Sequence, residues 1–143
     1  MGGATDLRRR ALLLAALAFL AQPATAQIAS LSPREAYEGA RSGTLFLVDI
    51  RTPDEWADTG VPQGAEKLDA DGSGFEVRLA GLRLDHPARR IALIDRTGSL
   101  SAAIRQKFAG RSWRDLVVVR GGMLGSPGEK GWLAEGLPVT PYP

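Results

Sequence analysis

The sequence contains no cysteine, which excludes disulfides, thiolate metal sites and any chemistry that passes through a protein thiolate. Histidine is reduced to one, His86. It sits beside Pro87, is expected in an exposed turn, and has no second imidazole or thiolate with which to build a metal site. Aromatic residues make up 6% of the chain, so Trp56, Trp113 and Trp132 read as core or core-edge anchors rather than a ligand cage. Charge of one sign is also lacking: 18 Lys and Arg face 16 Asp and Glu. Arg8, Arg9, Arg10 and Asp6 all fall within the first 26 residues, and the remainder balances. Nothing in that balance indicates a nucleic-acid partner or an anionic membrane surface. No cofactor is implied.

The first 26 residues have the layout of a secretory signal peptide. Arg8–Arg10 form a basic start, Ala11 to Ala21 is an apolar run, and Ala24-Thr25-Ala26 is a small-residue cleavage site. The run is shorter than the roughly 20 residues that span a bilayer. A retained N-terminal anchor is the alternative. Arg9-Arg10-Ala11-Leu12-Leu13 also fits a twin-arginine signal, with the general secretory route preferred. Cleavage after Ala26 would leave residues 27–143, the size of one domain, exported to the periplasm and free of the membrane.

Strand and helix signals alternate through residues 27–143. Gln27–Leu31 reads as a short edge strand or an ordered lead-in. Ser32-Pro33-Arg34-Glu35 has the form of a capping box opening a helix that runs to about Arg41, before Gly43. Leu45–Ile50 is a nearly continuous apolar run, as in a strand covered on both faces. Thr52-Pro53-Asp54-Glu55 repeats the capping box and starts a helix ending near Thr59-Gly60. A loop from Val61 to Lys67 leads into a brief strand near Ala65–Leu68. After the turn Asp71–Gly74, the apolar set Val77, Leu79, Ala80 and Leu82 suggests a helix over Phe75–Leu84, ended by His86-Pro87. Asp115–Val119 reads as a further buried strand. Gly125–Gly131 reads as a surface insertion, followed by a short helix at Trp132–Glu135 and a tail, Leu137–Pro143. The alternation predicts an α/β domain with a mostly parallel central sheet flanked by helices on both faces.

The organising stretch is Ile91–Ser101. A strand, Ile91–Ile94, stops at Asp95, and a turn follows through Arg96, Thr97, Gly98 and Ser99. A helix then carries Leu100, Ala103, Ile104 and Phe108 on one face. Such a turn gathers backbone N–H groups and the positive end of a helix dipole around a small concavity, at the strand end where open parallel sheets hold ligands.

The order LVDIRTPDEW, TGVPQGA, a loop of form x-R-x-G, VVVRGGM, a later tryptophan and GLPV resembles a rhodanese-like domain over Ser32–Val139. In the sulfur-transferring members the loop begins with a cysteine whose thiolate accepts a sulfane sulfur. The resemblance places Asp95 at that position, with Arg96, Thr97, Gly98, Ser99, Leu100 and Ser101 forming the rest of the loop. Leu100 stands where active members often carry Arg or Thr. Gly60 replaces a familiar histidine, and Gln63 is one residue extra. A persulfide needs a thiolate, so the resemblance implies a catalytically silent domain. Such a domain would be a binding or interaction module with a periplasmic protein partner or a small anionic ligand. The alternative is an enzyme assisting sulfur or phosphoryl chemistry through Asp95 or a partner's thiol.

The carboxylate of Asp95 is expected to fill the anion cradle itself and to repel incoming anions; a solvated turn aspartate is the other reading. As an aspartyl nucleophile it would need partners, and the haloacid-dehalogenase-like Asp-x-Asp-Gly-Thr pattern is broken by Thr97 at the second aspartate. Asp49, Arg51 and Glu55 match the family's structural salt-bridge positions, and an Arg51–Glu55 pair is expected to fix their loop. Arg96 and Arg120 either offer positive charge at the cavity rim or are solvated strand-end arginines.

Overall fold

The computed structural model describes residues 29–143. The expected export signal and its expected cleavage site after Ala26 lie outside the described residues.

The strands are β1 (Ser30–Leu31), β2 (Leu45–Asp49), β3 (Val61–Pro62), β4 (Glu66–Lys67), β5 (Arg90–Ile94), β6 (Val117–Val119) and β7 (Val139–Thr140). The helices are α1 (Pro33–Ser42), α2 (Pro53–Thr59), α3 (Phe75–Asp85) and α4 (Ser99–Ala109). Five strands form one parallel sheet in the order β1-β6-β5-β2-β4. Both capping boxes are formed: Ser32 and Glu35 exchange hydrogen bonds with each other's backbone, as do Thr52 and Glu55. The two helices therefore start where their sequences place them.

Alternate residues of the central strands point to opposite faces, so the sheet divides the core in two. One cluster packs Leu45, Leu47, Ile94 and Val119 against Ala36 of α1 and against Met123, Trp132 and Leu137. The other packs Val48, Ile91 and Leu93 against Phe75 and Leu79 of α3 and Phe108 of α4, with Trp113 and Leu116. Trp56, Trp113 and Trp132 are all buried. The predicted architecture, a parallel sheet with helices on both faces, is the one observed.

Several local expectations change. Trp132–Glu135 is not a helix but a single turn, closed by Glu135 N–H to the Gly131 carbonyl at 3.1 Å. The Trp132 indole donates to the Pro138 carbonyl at 3.0 Å, and that tether together with Gly136 and Pro138 turns the chain away before a second turn can form. The tail is not featureless: β7 pairs antiparallel with β3 inside the stretch read as a loop. The polar tip of the 125–131 insertion is exposed, whereas Gly131 is buried against Met123. His86 is half-buried, stacked on Phe46 with ring centroids 4.2 Å apart.

The helix faces also differ from the apolar pattern. In α4, Leu100 and Ala103 face solvent, Ile104 is half-buried, and Phe108 and Ser101 are buried. In α3, Leu79 is fully buried but Val77 points outward. The reason in α4 is specific: Ser101 must turn inward to reach Asp95.

Candidate functional site

β2 and β5 lie in register with Asp49 beside Ile94. The next residue of each chain therefore reaches the same carboxyl edge of the sheet. The Ile50 N–H donates to the Ile94 carbonyl at 3.0 Å, and beyond that point the two strands diverge into the loops that make the site.

Asp95 is 3% exposed. Its Oδ1 accepts from the Gly98 N–H at 2.8 Å and the Ser101 hydroxyl at 2.9 Å. Its Oδ2 accepts from the Leu100 N–H at 2.8 Å. These donors stand at the N-terminal end of α4, whose dipole also favours negative charge there. The aspartate thus fills its own cradle. It is not a solvated turn residue.

The loop is fixed from behind by the turn after β6. The Met123 and Leu124 N–H groups donate to the Asp95 and Arg96 carbonyls, each at 2.9 Å. Gly122 lets the two segments approach this closely. A Cβ there would stand 2.4 Å from the Asp95 carbonyl oxygen, and its φ is +54°. Gly98 has φ of +97°, which turns its N–H back onto Asp95. The glycines of the x-R-x-G and R-G-G motifs therefore serve the same loop.

Beneath this loop lies the Asp49–Arg51 pair, both residues buried. The guanidinium meets the carboxylate through Nε–Oδ1 at 3.0 Å and Nη2–Oδ2 at 2.7 Å. Its remaining donors reach the Thr59 hydroxyl at 2.8 Å and the Gly60 carbonyl at 3.0 Å. The expected Arg51–Glu55 pair is not formed. The Glu55 carboxylate bonds the Thr52 N–H and hydroxyl, each at 3.2 Å, and only its backbone carbonyl meets Arg51, at 3.3 Å. A capping carboxylate folds back over its own helix start, leaving Asp49 as the acid that can face the guanidinium.

Above Asp95 a cavity of about 230 Å³ is lined by Arg51, Thr52, Glu55, Asp95, Arg96, Thr97, Ser99 and Leu100, with Ile50, Ala70 and Asp71. Arg96 is exposed at its rim. Arg120 is not among the lining residues. It ties β1 and α1 to the 126–129 turn through Glu129 at 3.5 Å, Glu35 at 3.8 Å and the Ser30 hydroxyl at 3.3 Å. Glu35 is held below the ordinary carboxylate range, first by the Ser32 N–H, then by the Ser32 hydroxyl, with Arg120 adding to it. Ala70 and Asp71 are cavity residues that sequence reasoning missed. They stand beyond β4, and no local pattern marks their approach to the loop.

Removing the Asp95 carboxylate leaves three donors without their acceptor. Asp95→Ala is expected to lower stability by about 1–3 kcal/mol, the cost of stranding buried polar groups. An unchanged midpoint in urea denaturation would show that the cradle gains nothing from its internal anion.

No protein-family model matches the chain, and no curated protein matches it. Solved structures do match. A rhodanese-related protein of Thermoplasma volcanium aligns with 78% of this chain and 96% of its own, at 24% identity and a TM-score of 0.58. A protein of M. tuberculosis aligns with 80% of this chain and 98% of its own, at 25% identity and a TM-score of 0.60. The polysulfide-sulfur transferase homodimer of Wolinella succinogenes aligns with 96% of this chain and 90% of its own, at 25% identity and a TM-score of 0.59.

Fold and loop together define a rhodanese-like domain. This chain has no cysteine, and in it Asp95 satisfies the loop's donors itself.

Proposed function

We propose that the protein is a catalytically silent rhodanese-like domain that acts in the periplasm as a binding module, exported by its N-terminal signal and docking a partner at its loop face. The observation that carries this reading is the Asp95 carboxylate seated on the Gly98, Leu100 and Ser101 donors. Sulfur transfer by the persulfide route needs a nucleophilic sulfur on the enzyme, and the chain offers only two methionine thioethers. The donors that would stabilise a persulfide are already engaged by an anion that cannot leave. Asp95 is also a poor nucleophile here, since both its oxygens are held and it is almost wholly buried.

The expected result is no thiosulfate-to-cyanide sulfur transfer by the wild-type protein from residue 27 onward. Turnover above the uncatalysed rate would overturn the silent reading. The second reading, that the loop assists a thiol supplied by a partner, draws support from the cavity left open above Asp95. It requires that turnover appear only when a thiol-bearing partner is mixed with this chain.

A further inference from the structure

The cavity above Asp95 carries an excess of negative charge. Its lining sets Glu55, Asp71 and Asp95 against Arg51 and Arg96, and Arg51 is already neutralised by the buried Asp49. With Asp49 included, four carboxylates stand against two guanidinium groups. The Gly98, Leu100 and Ser101 donors stabilise the Asp95 charge without removing it. The excess continues past the rim along α2, which has Asp54, Glu55 and Asp58 and no basic residue. Asp58 stands one turn beyond Glu55 on the same face. Asp54 and Asp58 are exposed, and neither makes an ion pair among the described residues.

The carboxylates of this lining also keep acceptor positions open. A carboxylate oxygen takes about two hydrogen bonds. Asp95 Oδ2 receives one, from the Leu100 N–H, although the residue is 3% exposed and forms the cavity floor. Both bonds to the Glu55 carboxylate fall on Oε2, from the Thr52 N–H and hydroxyl, and Oε1 receives none among the described residues. The Asp71 side chain has neither a hydrogen bond nor an ion pair among the described residues. A group that fills these positions must donate hydrogen bonds and carry positive charge.

We propose that the loop cavity receives an arginine side chain from a basic segment of a partner protein. Its guanidinium donates to the open oxygens of Asp95 and Glu55 beside Asp71, and the basic residues flanking it lie along Asp54 and Asp58. The assignment rests on the reading of the chain as a binding module and names what its loop face takes. Size and charge decide the occupant. A volume of about 230 Å³ is below the roughly 300–1,000 Å³ that encloses a whole small ligand, and it suits one long side chain. Arginine is preferred to lysine because its planar fork can donate to two carboxylates at once. A small free cation would leave Asp54 and Asp58 unanswered, and the same charges turn away small anions and anionic bilayers.

The probe is a synthetic peptide of about ten residues, glycine and serine around a central arginine with a lysine on either side. It is titrated into the isotope-labelled protein and followed by NMR. Shift changes are expected to concentrate on Thr52, Glu55, Asp71, Thr97 and Ser99. Asp71→Asn and Glu55→Gln should each weaken binding about threefold to tenfold. Glutamine still closes the capping box, so the thermal melt should stay in place. Arg96→Gln, which removes the exposed rim cation, should tighten binding about threefold, a gain that damage to the fold would not produce. Citrulline, neutral and nearly the same shape, should cost about tenfold or more when it replaces the central arginine. Equal binding of the citrulline peptide, or weaker binding by Arg96→Gln, would overturn the assignment. So would shifts as large from free arginine alone, stronger shifts from thiosulfate, or self-association of the protein through these same residues. Because the wild-type sulfur-transfer assay decides the silent reading separately, a failed titration beside an inactive wild type removes the arginine assignment alone.

Discussion

Asp95→Cys is expected to convert an inactive protein into one that moves sulfur from thiosulfate to cyanide. The substituted thiol would sit where the carboxylate now accepts the Gly98 and Leu100 N–H groups and the Ser101 hydroxyl. Those donors and the N-terminal end of α4 favour the thiolate, so its titration should fall below the ordinary value of about 8.5. The thiolate attacks the sulfane sulfur of thiosulfate, forming a sulfur–sulfur bond as sulfite leaves. Cyanide then takes the outer sulfur as thiocyanate and regenerates the thiolate. Preorganised donors of this kind are worth about 10²-fold each in rate, which sets the scale of the gain over the wild-type background. Leu100 at the sixth loop position and the acids Glu55 and Asp71 in the cavity hold the rate below that of a loop furnished with a cation there. Two readouts separate the causes of failure. A thiol with a lowered titration point but no turnover would show that the cradle survives and the cavity rejects the donor. A thiol that titrates normally would show that the cradle does not stabilise an anion at all, contrary to the geometry above.

The largest loss of stability is expected from Arg51→Ala. Asp49 is fully buried and Arg51 is 3% exposed, so truncation strands a carboxylate in the interior. It also removes the guanidinium's hydrogen bonds to the Thr59 hydroxyl and the Gly60 carbonyl. Breaking one side of a buried pair costs about 3–5 kcal/mol, against a total stability of about 5–15 kcal/mol for a domain of this kind. Arg51→Lys should recover little, because one ammonium cannot meet both carboxylate oxygens and the Thr59 and Gly60 acceptors as the guanidinium does. The contrast is the exposed Arg34–Glu135 pair at 3.6 Å, whose loss should stay within about 1 kcal/mol. Urea denaturation of the three variants checks the ranking. A loss of less than about 1 kcal/mol for Arg51→Ala would mean that the pair is not the tie that holds the β2–α2 corner.

The two networks are neighbours for a reason. Pairing of β2 with β5 aligns Asp49 with Ile94, so the corner fixed by Arg51 forms one wall of the cavity whose floor is Asp95.

The elements that the sequence determined by itself are those governed by local interactions. The capping boxes at Ser32 and Thr52, the apolar strands of β2 and β5 and the absence of cysteine all act within a few residues or through composition alone. They sufficed for the sheet, for the loop at Asp95 and for the exclusion of a persulfide. Tertiary structure decided the rest. Whether Asp49 or Glu55 would face Arg51 depended on which carboxylate was free after capping. Ser101 turned inward, against the apolar pattern of α4, because Asp95 needed a third donor. Arg120 left the cavity because Glu35 and Glu129 stood on its other side. The pairing of β7 with β3 and the approach of Ala70 and Asp71 to the loop join residues far apart in the chain. Contacts of that range leave no period in the sequence, since each partner is chosen by where the sheet delivers it.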